Sequence, residues 1–242
     1  MSRSRFPLLI LALLSSIVLL SEHSHAKKKP QLATVRWSAG APGCTFARGD
    51  DGRYRWTMSD KDMEITLLVD SQELTKSRRR FYQVFGLYTT VLYKGQVNFD
   101  YPADLRLTFL RHHEITEGYL DPTELQTRLQ NDLDTLVFET ERQIKKNPKI
   151  KEEKTAYLQQ YEKEGAEFIE FLTSQYVAET TLNPGNPETH GWAFFPTKNK
   201  WIGPWKEHED FILEVLMKDR IWQFPFSLPP AGEEPVLRKP AE

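Results

Sequence analysis

The spacing of the apolar residues changes twice along this 242-residue chain. Before about residue 120, and again after about residue 177, apolar and polar residues alternate over short segments, as in strands with one buried face. Between these two regions, apolar residues recur at steps of three and four, as on one face of a helix. The sequence therefore predicts strands, then helices, then strands again.

The helical region, residues 120–177, begins with a strong start signal. Asp121-Pro122-Thr123-Glu124 supplies an N-cap, a proline in the first turn and a capping-box glutamate. Two apolar stripes follow at helical spacing, one on each side of Asn147-Pro148: Leu125, Leu129, Leu133, Leu136, Val137 and Ile144, then Tyr157, Tyr161, Gly165, Phe168, Leu172 and Tyr176. Two long helices with a short connection are expected to pack antiparallel, so this segment is predicted to be an inserted αα-hairpin.

The flanking regions, residues 27–119 and 178–229, contain strand patterns without any βαβ alternation. Asp50-Asp51-Gly52 lies between two short extended segments and predicts a β-hairpin. Further strands are predicted near residues 63–69, 81–93, 105–110, 192–195, 211–216 and 221–226. The expected fold is mainly β, an antiparallel sandwich interrupted by the helices, and residues 230–242 are expected to form a disordered tail.

The first 26 residues have the pattern of a secretory signal peptide. Arg3 and Arg5 precede an apolar run over residues 7–20, and Ser24-His25-Ala26 places small residues where a signal peptidase cleaves. The run is too short for a stable membrane span. The mature protein is therefore expected to begin at Lys27 and to work in the periplasm or outside the cell, without stable membrane insertion after cleavage.

Charge and cysteine content narrow the possible partners. The formal net charge is −2, and loss of Arg3, Arg5 and Glu22 with the signal makes it −3. A nearly balanced charge gives no reason to expect nucleic acid as a partner. Cys44 is the single cysteine of the sequence, so no intramolecular disulfide is possible, and a buried thiol is expected.

No catalytic signature is present in the sequence. It lacks a G-x-S-x-G nucleophile motif, a phosphate-binding glycine loop and a dinucleotide fingerprint, so no catalytic residue and no cofactor are predicted. His112-His113-Glu114 is expected to continue a strand and lacks the second histidine of a helical zinc site, so no metal site is predicted. Arg48-Gly49-Asp50, which spells an adhesive tripeptide, is interpreted as a turn.

A basic run precedes the strand predicted from residue 81. It comprises Lys76, Arg78, Arg79 and Arg80. We expect a solvated loop neutralised by nearby Asp and Glu residues; the alternative is contact with an acidic lipid headgroup or a polyanionic wall polymer.

The candidate ligand-binding residues are Trp201 and Trp205, together with Lys198 and Lys200. Exposed indole rings beside hydrogen-bonding side chains stack on sugar rings and on protein partners. In the alternative interpretation, which the usual burial of large aromatic residues favours, both tryptophans close the open end of the sandwich.

Three segments near the C-terminus resemble one protein family: Gly191-Trp192-Ala193-Phe194-Phe195, Lys200-Trp201-Ile202-Gly203-Pro204-Trp205 and Phe224-Pro225-Phe226-Ser227-Leu228-Pro229-Pro230. The family consists of exported bacterial proteins with an immunoglobulin-like β-sandwich and no assigned activity. The resemblance extends through most of the mature chain, including Gly43-Cys44-Thr45-Phe46 and Val69-Asp70. It implies an immunoglobulin-like sandwich in a bacterial exported protein.

Together these features predict an exported, non-enzymatic β-sandwich protein that binds an envelope protein or an envelope glycan. One alternative is a structural or assembly protein that dimerises or docks through the helical hairpin. Another is a hydrolase with its site at the junction of sandwich and hairpin, since catalytic carboxylate pairs are recognised by geometry rather than by spacing.

Overall fold

The structure is a computed structural model that describes residues 32–101, 104–198, 208–217 and 219–232. Within these residues the chain is mainly β, with several antiparallel sheets and one long helical region. This confirms the predicted mainly β fold with its inserted helical segment. The predicted signal peptide, residues 1–26, lies outside the described residues.

Five of the described strands form the first sheet. Their order is β1–β12–β11–β7–β8, with bounds Ala33–Arg36 (β1), Arg220–Leu228 (β12), Glu209–Leu216 (β11), Leu105–Phe109 (β7) and Ile115–Gly118 (β8). β1 pairs with β12 in parallel, and the other three pairings are antiparallel. This sheet therefore joins the start of the described chain to its end.

The second sheet is antiparallel throughout its described strands. Its order is β10–β5–β4–β3–β2, with bounds Glu188–Pro196 (β10), Val84–Tyr93 (β5), Met63–Asp70 (β4), Arg53–Ser59 (β3) and Cys44–Arg48 (β2). The hairpin predicted at Asp50-Asp51-Gly52 joins β2 to β3, and Gly52 has the positive φ of 75° that such a turn favours. Two short strands, β6 (Phe99–Tyr101) and β9 (Thr180–Leu182), form a small separate sheet.

One apolar core receives side chains from both five-stranded sheets. The alternation of β3, β4, β11 and β12 places every second residue in it. Among its largest members are Trp56, Leu67, Phe85, Leu107, Phe211 and Trp222. Burying side chains of this size stabilises a fold by about 1.5–3 kcal/mol each, so the core can hold the sheets together without a disulfide.

The helical region consists of α2 (Pro122–Lys146), a 3-10 turn (Pro148–Ile150) and α3 (Lys151–Gln175), here called the helical pair. The predicted N-cap is confirmed, because the Asp121 carboxylate accepts from the backbone N–H of Thr123 at 2.7 Å and of Glu124 at 3.0 Å. The Glu124 side chain accepts from Arg128 at 2.5 Å. None of the described helices is both long and apolar enough to cross a membrane.

The helical pair contacts the second sheet near the start of α2 and the end of α3. There a second apolar cluster joins both helices to β5 and β10: Val84, Leu120, Leu125, Leu129, Phe168, Leu172 and Phe194. Farther along the helices, Phe138 and Tyr157 are 66% and 50% exposed. Of the two predicted stripes, Leu125, Leu129, Phe168 and Leu172 are therefore anchored on the sheet, and the remaining residues are half-buried or exposed.

The basic run before β5 lies on a helix, so the predicted loop is wrong. Helix α1 (Glu73–Arg79) contains Lys76 and Arg78, and Arg80 follows at its C-cap. The side chain of Glu73 is fully buried and forms an ion pair with Arg80. It also accepts hydrogen bonds from the Ser77 hydroxyl at 3.0 Å and from the Gly86 backbone N–H at 2.5 Å. The expected neutralisation by Asp and Glu is confirmed, since Lys76 pairs with Asp70.

Two smaller expectations need correction. Cys44, expected to be buried, is half-buried at the start of β2. Pro230, the first residue of the predicted disordered tail, is buried, as is Pro229 before it. Residues 233–242 of that tail lie outside the described residues.

Replacing Glu73 by Gln should destabilise the fold by about 3 kcal/mol, because it leaves the Arg80 guanidinium without its counter-charge in a largely buried site. Urea denaturation measures the free energy of unfolding. The matched control is Lys76→Gln, which removes an exposed partner of Asp70 and should cost less than about 1 kcal/mol. The double variant Glu73→Leu/Arg80→Met should recover much of the lost stability. If Glu73→Gln and Lys76→Gln lowered the free energy of unfolding by the same small amount, the structural role assigned to the Glu73–Arg80 ion pair would be wrong.

Candidate functional site

The predicted ligand-binding segment lies largely outside the described residues. Trp201, Trp205 and Lys200 fall within the segment 199–207 and stay a prediction. Lys198 is the last described residue before that segment. Its side chain is exposed, and its Nζ lies 3.8 Å from Glu117 Oε1 on β8.

After this segment the described chain resumes at His208, beside a polar cluster around Asp210. His208 Nε2 lies 3.0 Å from Asp210 Oδ1, which also accepts from the Ser227 hydroxyl at 2.6 Å. Arg111, in the turn after β7, donates from Nε to Asp210 Oδ2 at 2.8 Å. Lys198 therefore contacts the β7–β8 hairpin at Glu117, and Asp210, two residues after the segment resumes, contacts it at Arg111.

The electrostatics of the Asp210 cluster favour the charged carboxylate. Burial alone would raise the pKa of Asp210, but the hydrogen bonds from Ser227 and Arg111, together with nearby His208, hold this pKa below its usual value.

The histidine pair His112-His113 does not continue a strand, which corrects the prediction. Both residues lie in the tight turn between β7 and β8, where His113 and Glu114 have positive φ angles of 59° and 53°. His112 Nε2 is 3.3 Å from Glu209 Oε2, and both side chains are buried from most solvent. Within the described ranges, no group of three or more His, Cys, Asp or Glu residues is placed to hold a metal ion.

The tripeptide Arg48-Gly49-Asp50 occupies the turn that joins β2 to β3. Arg48 is the last residue of β2, and the Gly49 N–H donates to Arg53 O at 2.8 Å across the turn. These contacts agree with the turn interpretation.

A groove of about 520 Å³ lies between α1 and α3, and we call it the junction groove. Its lining includes Lys76, Arg80, Phe81, Glu164, Glu167 and Phe168. Its two carboxylates belong to exposed residues of α3 with neighbours one turn away: Glu164 accepts from Gln160 Nε2 at 2.6 Å, and Glu167 lies 3.9 Å from Lys163 Nζ. This groove is the place where a hydrolase at the junction of sheet and helices would have its site.

A second cavity, of about 430 Å³, is enclosed by the β3–β4, β5–β6 and β11–β12 turns, and we call it the three-turn cavity. Its rim is acidic and amide-bearing, with Asp60, Asp62 and Asp219 beside Gln96 and Asn98. Its inner lining is aromatic and apolar: Met63, Tyr93, Phe99, Met217 and Trp222. Clefts with an apolar lining and a few convergent polar groups are typical ligand sites.

Backbone and side-chain contacts fix the rim of the three-turn cavity. Asp60 Oδ1 accepts from the N–H groups of Asp62 at 2.8 Å and Met63 at 2.9 Å, which shapes the turn before β4. Asp60 Oδ2 accepts from Arg220 at 2.7 Å, and Arg220 also pairs with Asp219 at 2.7 Å. The hydrogen bond to Asp219 raises the pKa of Arg220, and the charges of Asp60 and Asp62 act in the same direction.

The lining of the three-turn cavity includes an unusual buried donor. Trp222 is only 1% exposed, and its Nε1 has no hydrogen-bond acceptor among the described residues. The Tyr93 and Phe99 rings lie beside each other, with centroids 5.9 Å apart. The cavity thus combines aromatic side chains in its lining with carboxylate and amide groups on its rim.

The three-turn cavity could not be predicted from the sequence, because its lining comes from three distant stretches of chain. Asp60 and Arg220, for example, are 160 positions apart. The one local signal is the Asp60–Asp62 pair in a turn before a strand, a pattern that turn chemistry alone explains.

Comparison of the chain with protein-family models, with curated proteins and with solved structures gives no match.

Replacing Ser227 by Ala should raise the pKa of Asp210, because the neutral side chain no longer donates to the carboxylate. A carboxylate with a lowered folded-state pKa contributes stability above its unfolded pKa, near 3.9, and loses it as the pH falls through the folded value. The difference in Tm between wild type and variant should therefore be largest at neutral pH and should shrink below about pH 4. Thermal unfolding across this range tests it. The control is Ser59→Ala, because the Ser59 hydroxyl contacts the Gly43 carbonyl and no carboxylate. A difference in Tm between wild type and Ser227→Ala that does not change with pH would refute the assignment.

Proposed function

We propose that this protein is an exported, non-enzymatic β-sandwich protein that binds a glycan of the bacterial cell envelope. We further propose that the two five-stranded sheets form an immunoglobulin-like sandwich and that α2 and α3 form an inserted αα-hairpin. The shared core of the two sheets supports the sandwich. The signal-like sequence before Lys27 supports export.

The observation that carries glycan binding is the lining of the three-turn cavity. Aromatic rings offer flat apolar faces to the C–H surfaces of a sugar. Carboxylate groups accept hydrogen bonds from the sugar hydroxyls, and amide groups both donate to these hydroxyls and accept from them. The volume of about 430 Å³ lies within the range usual for small-ligand sites. The predicted segment with Trp201 and Trp205 would add a second surface of the same chemistry.

Capture from an envelope extract tests this proposal. The bait is the secreted protein, whose mass should correspond to an N-terminus at Lys27, and sugar analysis identifies retained glycans. The Trp201→Ala/Trp205→Ala variant, matched to wild type by circular dichroism, shows whether that segment contributes. A glycan retained by wild type supports the proposal. Retention of protein alone, or of nothing, argues against it, and a mass that includes residues 1–26 contradicts cleavage.

The exposed rings of the helical pair favour a second candidate, self-association through α2 and α3. Phe138 and Tyr157 are large apolar side chains that are half or more exposed on the two helices. Residues 145–154, around the turn between the helices, carry five lysines against Glu152 and Glu153, whereas residues 162–170 of α3 carry four glutamates against Lys163. A second copy running in the opposite direction would bring these opposite charges together.

Light scattering over a range of concentrations tests self-association. We expect a dimer for wild type and a monomer for Phe138→Glu/Tyr157→Glu, because the charges oppose burial of the contact. Val97→Glu, at a 75% exposed residue of the β5–β6 turn, is the matched control and should remain dimeric. A wild-type protein that stays monomeric at every concentration excludes this candidate.

A further inference from the structure

The charges of the helical pair are separated along its length. Residues 142–154, around the turn between the helices, carry six basic side chains against Glu152 and Glu153. The remainder of α2 and α3 carries nine acidic side chains against Arg128 and Lys163. We call residues 142–154 the lysine tip, because five of its six basic residues are lysines. Positive charge is thus concentrated at one end of a helical pair that is otherwise acidic.

The basic side chains of the lysine tip have no counter-charge in the described fold. Elsewhere on the helical pair, Arg128 pairs with Glu124 and Lys163 with Glu167, each one turn away. No described residue forms an ion pair with the basic residues of the tip, which are Arg142, Lys145, Lys146, Lys149, Lys151 and Lys154. All of these are exposed except Lys154, which is half-buried. Their charge is therefore open to a partner.

The stability of the helices accounts for only part of this charge. Lys145 and Lys146 lie in the last turn of α2, where the helix dipole favours positive charge. Lys149 and Lys151 lie at the start of α3, where the dipole opposes positive charge. Charge that is unfavourable for the helix and unpaired in the fold points to an anionic partner outside it.

A shallow hollow of about 540 Å³ lies at the lysine tip. Its lining includes Lys149, Lys151, Thr155 and Gln159, together with Glu152. Lysine, threonine and glutamine side chains all donate hydrogen bonds, and phosphate oxygens accept them. The tip therefore combines diffuse positive charge with hydrogen-bond donors suited to a phosphate group.

Two features favour the surface of an anionic membrane over a soluble phosphate compound. The lysines are spread over two helix ends and the turn, and an ammonium group lacks the planar fork with which arginine binds one phosphate. Pro148 and the half-buried Ile150 add apolar surface within the turn, and apolar groups beside lysines suit the boundary of headgroups and acyl chains. Anionic lipid surfaces attract clusters of basic residues of this kind.

From these observations we propose that the lysine tip adsorbs to a membrane surface that carries anionic phospholipids, without insertion of either helix. The inference goes beyond the proposed glycan binding and does not depend on it. Each lysine near an anionic surface strengthens binding by about fivefold, and salt weakens this attraction.

Sedimentation with lipid vesicles tests the proposal. The mature protein should bind vesicles that contain phosphatidylglycerol at about 0.05 M salt, and binding should be largely lost at about 0.5 M. Vesicles of phosphatidylcholine alone should not bind it. The variant Lys149→Glu/Lys151→Glu should bind at least about tenfold more weakly. Because glutamate at the start of α3 is favourable for the helix dipole, this loss cannot be attributed to unfolding of the helix.

The matched control changes the net charge by the same amount at another place. Lys61→Glu/Lys94→Glu reverses two exposed lysines, one in the β3–β4 turn and one after β5. This variant, matched to wild type by circular dichroism, should bind the anionic vesicles within about twofold of wild type. Equal weakening by the two double variants would assign binding to net charge alone and overturn the proposal, as would unchanged binding of Lys149→Glu/Lys151→Glu.

A dye on the tip distinguishes a membrane from a soluble polyanion. In a Cys44→Ala background, Glu153→Cys carries an environment-sensitive dye at the lysine tip, and Val97→Cys carries it in the β5–β6 turn. Vesicles with phosphatidylglycerol should shift the emission of the dye at the tip and leave the other dye unchanged. If polyphosphate shifts the emission at the tip and vesicles do not, the partner is a soluble polyanion and the membrane proposal is wrong. A shift by vesicles in the β5–β6 turn alone also overturns it.

Discussion

The buried carboxylate of Glu73 connects the helices to the sheets. In β5, Gly86 has no side chain, and a Cβ there would lie 3.0 Å from the Phe194 ring, 3.1 Å from the Arg80 guanidinium and 3.3 Å from the Glu73 carboxylate. The absence of that Cβ lets α1 rest on the strand with Glu73 against the Gly86 N–H. Arg80 then binds Glu73, donates to Val84 O and lies 5.7 Å from the Phe194 ring centroid. Since Val84 and Phe194 belong to the cluster that anchors the helical pair, one ion pair orients α1 and supports the surface on which α2 and α3 rest.

Features with a local physical cause could be predicted from the sequence, and features that depend on distant contacts could not. The Asp121 cap, the hairpin at Asp50–Gly52 and the alternation in β4, β7, β11 and β12 are each encoded within a few residues. Helix α1 has one aliphatic residue, Leu74, and it is stabilised through Gly86, thirteen positions after Glu73. Strand β1 is short and mostly exposed, and its pairing with β12 joins positions 187 apart. The lining of the three-turn cavity likewise comes from distant stretches of chain, so no local motif marks it.

Burial is uneven along the helical pair: the part near the second sheet is buried, and the part near the turn between the helices is largely exposed. Near the sheet, Leu125, Leu129, Phe168 and Leu172 are buried, and the Phe81 ring packs against Gly165, where a Cβ would lie 3.4 Å from it. Beyond that point α2 and α3 cover each other only partly. Their surfaces carry pairs one turn apart, such as Gln130 with Asp134 and Gln160 with Glu164, each contributing a few tenths of a kcal/mol. The exposed parts of the helices thus depend on the anchored parts for their position.

Glu73 and Trp222 both have buried polar atoms, but among the described residues only Glu73 has hydrogen-bond partners for them. The Glu73 carboxyl group has no exposure, and burial raises its pKa, while hydrogen bonds from Arg80, Gly86 and Ser77 offset part of this desolvation. Trp222 is equally buried, but its single donor has no acceptor among the described residues, which costs a fold about 1–3 kcal/mol. Such a cost persists in a packed core when surrounding burial outweighs it, and Trp222 lies between Val35 and Val215 on its neighbouring strands.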